Sequence, residues 1–217
     1  MQYKKFQGIV LKKQNYREAD QIITVWTEEA GKIRCLAKGL RLPKSKLAYS
    51  LQDLSHVAIE VAGRNLPTLI SAQVLQQFQT LCEDLKKAAI AFYAAELMLK
   101  ITADESPNAQ SFAILKDFLH CLDDVDYSVR YYPLLESFSL KLLESLGFSI
   151  EHAGRSFDIP AHLSPDLAEL GQREFAQFVN LNMESDRMDQ LHHLINRFVE
   201  YILERNIKSE PFLISIS

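Results

Sequence analysis

From Phe6 to Val74 the chain either alternates every second residue or runs briefly apolar. In FQGIVLKK, Phe6, Gly8 and Val10 share one face, and Ile9 and Leu11 share the other. QNYREAD is a polar connection. DQIITVWT has the β-branched and aromatic content of a strand. EEAGK reads as a turn with Gly31 free to take positive φ. In the next strand Ile33, Cys35 and Ala37 alternate with Arg34, Leu36 and Lys38. LAYSLQDL reads as a fourth strand or an extended segment. In SHVAIEVAG, Val57, Ile59 and Val61 point inward, and His56, Ala58 and Glu60 outward. RNLP turns the chain, and Ile70, Ala72 and Val74 return to the same core. Five or six short strands in so short a stretch predict a small closed barrel, because an open sheet would leave unpaired edges.

At Leu81 the period changes to that of a helix. Leu81, Leu85, Ala89, Phe92, Glu96 and Leu99 fall along one predicted stripe. Asn108 is a predicted N-cap for a helix carrying Phe112, Leu115, Leu119 and Leu122. Leu135, Phe138, Leu142 and Leu146 line another, stopped by Gly147. Residues 149–163 show no pattern. Ser164 and Pro165 read as N-cap and first helical position of a helix pair over Asp166 to Leu181. Met188, Leu191, Ile195, Phe198 and Ile202 mark a last long helix ending near Asn206. The predicted architecture is α+β and multidomain. A β-barrel of the OB-fold type covers 1–78, and an all-α domain covers 79–217.

Charge sharpens that division. The 217 residues carry a net −4. Residues 1–80 hold 12 Lys+Arg against 6 Asp+Glu, which is +6; residues 81–217 hold 12 against 22, which is −10. The densest run, residues 31–47, contains Lys32, Arg34, Lys38, Arg41, Lys44 and Lys46 and no acid. A strand passing its charge to a basic loop suits a phosphate backbone; a solvated face is the plainer alternative. Tyr16, Trp26 and Tyr49 interleave with these bases. Rings of this kind stack on nucleobases for about 1–3 kcal/mol each. Tyr16, in a polar connection, is the better stacking candidate, and Trp26 reads as barrel core. The candidate nucleic-acid contacts are Lys12, Lys13, Tyr16, Arg17, Lys32, Arg34, Lys38, Arg41, Lys44, Lys46 and Arg64.

Other chemistry is thin. The sequence holds no Gly-rich phosphate loop, no H-E-x-x-H, no G-x-S-x-G and no C-x-x-C. His192 and His193 are neighbours on a helix and diverge; His152 and His162 fall in the irregular stretch. Glu96 sits in an apolar stripe, where a carboxylate bonded to a backbone amide or an Arg is the expected state. Asp123, Asp124 and Asp126 cluster at a helix end and read as a solvated loop rather than a metal site. No catalytic residue, cofactor or metal is expected. Cysteines 35, 82 and 121 are odd in number and far apart, as in a reducing cytoplasm. No apolar run is long enough for a membrane span, and the N-terminus lacks the pattern of a secretory signal.

The run GIVLKKQNYREADQIITVWTEEAGKIRCLAKGLRLPKSKL carries a resemblance. Gly8 to Leu11, Tyr16 with Glu18-Ala19-Asp20, Thr27-Glu28, Gly31-Lys32 and Ala37-Lys38-Gly39 with Arg41, Pro43, Lys44 and Ser45 resemble the N-terminal signature of the RecO family. Leu51-Gln52, Leu66 to Leu69, Tyr93 with Glu96-Leu97, Phe138 to Phe148, Leu163 to Pro165 and Ile207 to Ser209 keep the same order. One departure stands out. Many members carry a four-cysteine zinc module between the Gly-Phe and Ser-Pro landmarks, and 149–163 contains no Cys. The chain looks like a zinc-less, shortened member.

The resemblance implies a non-enzymatic, cytoplasmic, nucleoid-associated recombination mediator of bacterial DNA repair. Such a protein binds single- and double-stranded DNA, anneals complementary strands and contacts the single-strand-binding protein through its C-terminal tail. With RecR it helps load RecA on coated DNA. The acidic helical body is then the expected home of protein partners, with Arg130, Lys141, Arg197 and Arg205 as bases for an acidic, apolar tail. An OB-type module serving RNA is the alternative. An enzyme built on Glu96 or the Asp123–Asp126 cluster is a third reading, and nothing in the sequence supports it.

Overall fold

The computed structural model describes residues 3–125, 132–151, 157–178, 183–204, 207 and 209, and omits the side chain of Cys82. Two compact units emerge. One is Met1–Phe78 with Met98–Phe112; the other is Gln79–Leu97 with Ala113–Ser217. A stretch of helical sequence therefore belongs with the strands, which a single cut after residue 78 does not describe.

In the first unit, β1 (Tyr3–Tyr16), β2 (Asp20–Thr27), β3 (Gly31–Ala37), β4 (His56–Ala62) and β5 (Thr68–Gln76) close a barrel in the order β1-β2-β3-β5-β4. The long first strand makes closure possible. Its first half pairs with β4 and its second half with β2, and Gly8 pairs on both sides. A Cβ at Gly8 would lie 2.6 Å from the Trp26 carbonyl oxygen, so only glycine fits that crossing. Inside, Val10, Ile23, Val25, Cys35, Val57 and Ile59 form the core, with Leu40 and Leu51 closing one end. Trp26 is fully buried but is not barrel core: Ile23 and Val25 take the inner places of β2, and Trp26 shares the other face with Thr24.

Two expectations fail here, each for a stated reason. LAYSLQDL is no strand: Lys46–Ser50 forms a short helix, α1. Leu47 and Leu51 lie four apart there, so a single turn packs Leu47 and Leu51 on the barrel core. Ile70 is not core either; it is 47% exposed. The register shifts between Glu60 and Val61, making Ile70 an unpaired bulge residue, and Leu69 takes the inward place.

The chain continues with α2 (Gln79–Glu83), α3 (Leu85–Ile101), α4 (Ala109–Asp124), α5 (Tyr132–Ser145), α6 (Ser164–Gln172), a 3₁₀ turn over Phe175–Phe178 and α7 (Ser185–Leu203). The predicted stripe from Leu81 to Leu99 does not exist as one face. Asp84 interrupts it, its carboxylate accepting from the N–H groups of Lys86 and Lys87 as the cap of α3. Leu85 is then 61% and Phe92 45% exposed, while Ile90, Tyr93, Ala94 and Leu97 are buried. Asn108 caps α4 through the Ser111 N–H, and Gly147 ends α5 at φ +86°. Ser164 is the first helical residue rather than the cap, which is Leu163. The buried stripe of α7 runs as expected, but the helix ends at Leu203, with Glu204 left-handed.

Candidate nucleic-acid interface

Which basic side chains share a surface follows from one bulge in β1. Val10 faces Val25 across the ladder, but Lys12 faces Thr24, so Leu11 is an extra residue. Simple alternation would place Lys13 outside with Ile9 and Leu11. The bulge reverses this phase. Lys12 joins Thr24 and Arg34 on the outer face, and Lys13 joins Ile23 and Cys35 on the inner one. There, half-buried, Lys13 pairs with Asp53 at 3.1 Å, and it leaves the candidate set.

Lys32 leaves it too. Its ammonium donates to the carbonyls of Leu99 at 2.9 Å and Thr102 at 2.5 Å, and lies 3.3 Å from Asp104. A cation at the last carbonyls of α3 satisfies groups that the helix leaves unpaired and meets the negative end of its dipole. Its charge is structural.

The remaining bases gather where the β1–β2 turn meets the loop after β3. Arg17 sits at φ +57° with its guanidinium 5.2 Å from the Tyr16 ring centre. Asp20 accepts from the Gly39 N–H at 2.7 Å, and Gly39 has φ +62°. The Arg41 N–H donates to Ala19 O at 3.0 Å, and its guanidinium to Glu18 O at 3.1 Å. Leu40, pointing into the core, pins the loop from beneath. The eight-residue basic loop 38–45 is thus fixed to its neighbour, not free in solvent. Arg17, Lys38, Arg41, Lys44 and Lys46 stand exposed around it, and among the described residues none of them is in a salt bridge. Tyr49, 68% exposed on α1 three residues after Lys46, offers a bare ring. Tyr16 keeps Arg17 against its own ring, and Trp26 is fully buried, so Tyr49 is the more open stacking surface.

Arg34 and Arg64 go elsewhere. They line, with Lys4, a groove at the other end of β3. Neither their distance from the loop cluster nor the role of Lys4 was legible in the sequence, because β3 meets β5 only at Leu36 and Thr68.

The helical unit carries its polar groups inside. The Asp123 carboxylate accepts from the Thr80 and Leu81 N–H groups as a cap of α2. The buried Lys87 ammonium donates to Asp123 O at 2.9 Å and Thr80 Oγ1 at 3.1 Å. Glu96 accepts from the Ser209 N–H at 2.8 Å, the backbone-amide alternative of the two expected for it. His192 lies 2.5 Å from Glu136 and 2.9 Å from Asn196, whose oxygen accepts from Tyr93 at 2.8 Å. Sequence reasoning missed this chain of contacts; its trace there is two polar residues four apart, His192 and Asn196, on α7's buried face. His162 bonds Gln190, while His152, Asp126, Arg130 and Arg205 lie outside the described residues. Lys141 and Arg197 rest over the rings of Phe175 and Phe157, at 5.6 and 5.5 Å. Burial holds the Lys141 ammonium below its usual pKa. Among the described residues no group of three His, Cys, Asp or Glu is placed to hold a metal ion, and no helix is long and apolar enough to cross a membrane.

Residues 1–78 match the family model described as Recombination protein O N terminal, and residues 82–153 match Recombination protein O C terminal. The chain is similar to the DNA repair protein RecO of Symbiobacterium thermophilum, 36% identical over 142 residues, covering 65% of this chain and 55% of that protein. It is similar to the protein of the same name from Clostridium perfringens, 33% identical over 145 residues, covering 66% and 58%. With that of Moorella thermoacetica it is 23% identical, over 95% of this chain and 89% of the relative. The matched part thus spans little more than half of the first and second of these relatives.

Proposed function

The chain belongs to the RecO family, and from that premise we propose that it is a DNA-binding recombination mediator without catalytic activity of its own. One observation carries the reading. Five exposed cations, in no salt bridge among the described residues, surround a loop that hydrogen bonds hold in place. A fixed cationic surface meets a phosphate backbone with little ordering cost and reads no base, which is what coating and annealing strands require. The strand order 1-2-3-5-4 supports an OB-fold, in which loops at the end of the barrel take part in holding oligonucleotides. The further parts of the proposal rest on the family: annealing of complementary strands, action with RecR in loading RecA on coated single strands, and contact with the single-strand-binding protein's C-terminal tail. Lys141 and Arg197, each beside an aromatic ring, support a site for that tail in the helical unit. The proposed setting is the bacterial cytoplasm, at the nucleoid, with no cofactor and no zinc.

The test is reversal of Lys38, Arg41 and Lys44 together to Glu. Affinity for single-stranded DNA falls at least tenfold, about 1.4 kcal/mol. The isolated tail peptide binds within two- or threefold of wild type. In the wild type, log K against log salt slopes at roughly −3 to −4 for ~4–6 phosphates on single strands. A slope near zero ends the proposal. Equal affinity for RNA and DNA of one sequence, with no annealing of strands coated by the cognate single-strand-binding protein, favours the RNA reading. Hydrolysis of either strand with added magnesium overturns the non-enzymatic one, and one zinc per chain by elemental analysis overturns the metal-free one.

A further inference from the structure

Two segments close the free edge of β3, and they leave a gap between them. At one end the Leu36 N–H donates to Pro67 O at 2.8 Å. At the other, Lys32 O accepts from the Glu105 N–H at 3.0 Å. Alternate residues of a strand direct both main-chain groups to the same edge. The N–H and C=O of Arg34 therefore face the same side as those of Lys32 and Leu36, with no hydrogen bond there among the described residues. The gap is about 13 Å long at ~3.3 Å per residue.

The groove of about 850 Å³ that opens there has an apolar floor, including Phe6 and Ile33, and Leu66 on its rim is 39% exposed. Its charges are unequal in availability. Asp104 is held by Lys32, and Glu29 accepts from the Gln7 N–H. Lys4, Arg34 and Arg64 have no such partner among the described residues, and Glu105 is the one remaining carboxylate of the lining.

We propose that this groove docks an extended acidic and apolar stretch of a partner protein, one residue of which pairs with the Arg34 main chain. A peptide unit supplies an acceptor for the Arg34 N–H and a donor for its C=O. Strand addition of this kind draws affinity from the main chain and selectivity from the alternate side chains. An acidic side chain meets Lys4, Arg34 or Arg64, and an apolar one covers Leu66 and Phe6. A nucleic acid fits less well. Phosphate only accepts, leaving the Arg34 carbonyl unpaired. The docking does not depend on whether the loop cluster binds DNA.

The probe is a fluorescent octapeptide alternating aspartate with leucine, added to the full chain; a lysine-for-aspartate version is the control. The acidic peptide binds at least tenfold tighter than the control. The double variant Lys4→Glu, Leu66→Asp, changed only at exposed positions, loses that peptide tenfold or more and keeps oligothymidylate binding within threefold. Hydrogen exchange at the Arg34 amide slows at least tenfold on peptide binding. No selective peptide binding, or unchanged exchange at Arg34, overturns the proposal. So does displacement of the peptide by oligothymidylate together with loss of both ligands in the double variant, which makes the groove a nucleic-acid site. Peptide binding without any oligonucleotide binding leaves this proposal standing and removes the DNA-binding one.

Discussion

The two units treat charge in opposite ways. Around the barrel, Lys38, Arg41, Lys44 and Lys46 are exposed and outside any salt bridge among the described residues. In the helical unit, Lys87, Glu136, His192 and Asn196 are buried and bonded to one another or to main chain. Burying an ion is costly unless partners replace its water, so such groups are fixed by their surroundings and unavailable to a ligand. Exposed, unbridged cations keep their water and can exchange it for phosphate. The difference separates charge that builds from charge that binds. Lys32 shows that the distinction is not simply one of domain: it lies on the barrel and in the basic run, yet its ammonium holds the end of α3.

The largest effect is expected where buried charge loses its partner. Glu136→Ala leaves His192 without the carboxylate 2.5 Å away, and urea unfolding should show a loss of about 3–5 kcal/mol. A loss below about 1 kcal/mol would mean that the network does not need its acid, and the contrast between units would weaken. Next comes Lys32→Met. It strips a donor from two carbonyls and should cost about 1–3 kcal/mol of stability, with affinity for single-stranded DNA unchanged within twofold. Weaker DNA binding at wild-type stability would return Lys32 to the interface.

An effect confined to high pH concerns Cys35, whose burial in the barrel pushes its thiol up to about 12. The unfolded chain releases that proton near 9. The stabilisation is therefore complete below pH 9 and is lost as pH rises toward 12, at up to about 1.4 kcal/mol per pH unit. Urea midpoints of wild type and Cys35→Ala should converge over that range; parallel curves would show the thiol to be accessible. The smallest effect belongs to Lys38→Met. Stability should not move, while the salt slope on single strands should flatten by about 0.7, one phosphate's share. A stability loss instead would make Lys38 a second Lys32.

Much of this was readable from residue order. Alternation of apolar and polar residues determined the strands of the barrel, because one face of each must leave water. The change of period at Leu81 marked where helices begin, and Asn108 and Gly147 marked ends that local bonding imposes. The basic run over residues 31–47 was legible for the same reason: composition and period report which side of an element prefers water. What periodicity cannot carry is a one-residue change of phase. Bulges at Leu11 and Ile70 arise from the geometry of closing the barrel, and they decided that Lys12 faces out, Lys13 faces in and Ile70 leaves the core. Nor does local sequence show a partner seventy residues away. Only folding brought the carbonyls of Leu99 and Thr102 to Lys32, and only the gap between β3 and β5 set Arg34 and Arg64 beside Lys4, apart from the loop cations. The sequence decided how many positive charges the barrel unit carries; long-range closure decided which of them remain free to meet a ligand.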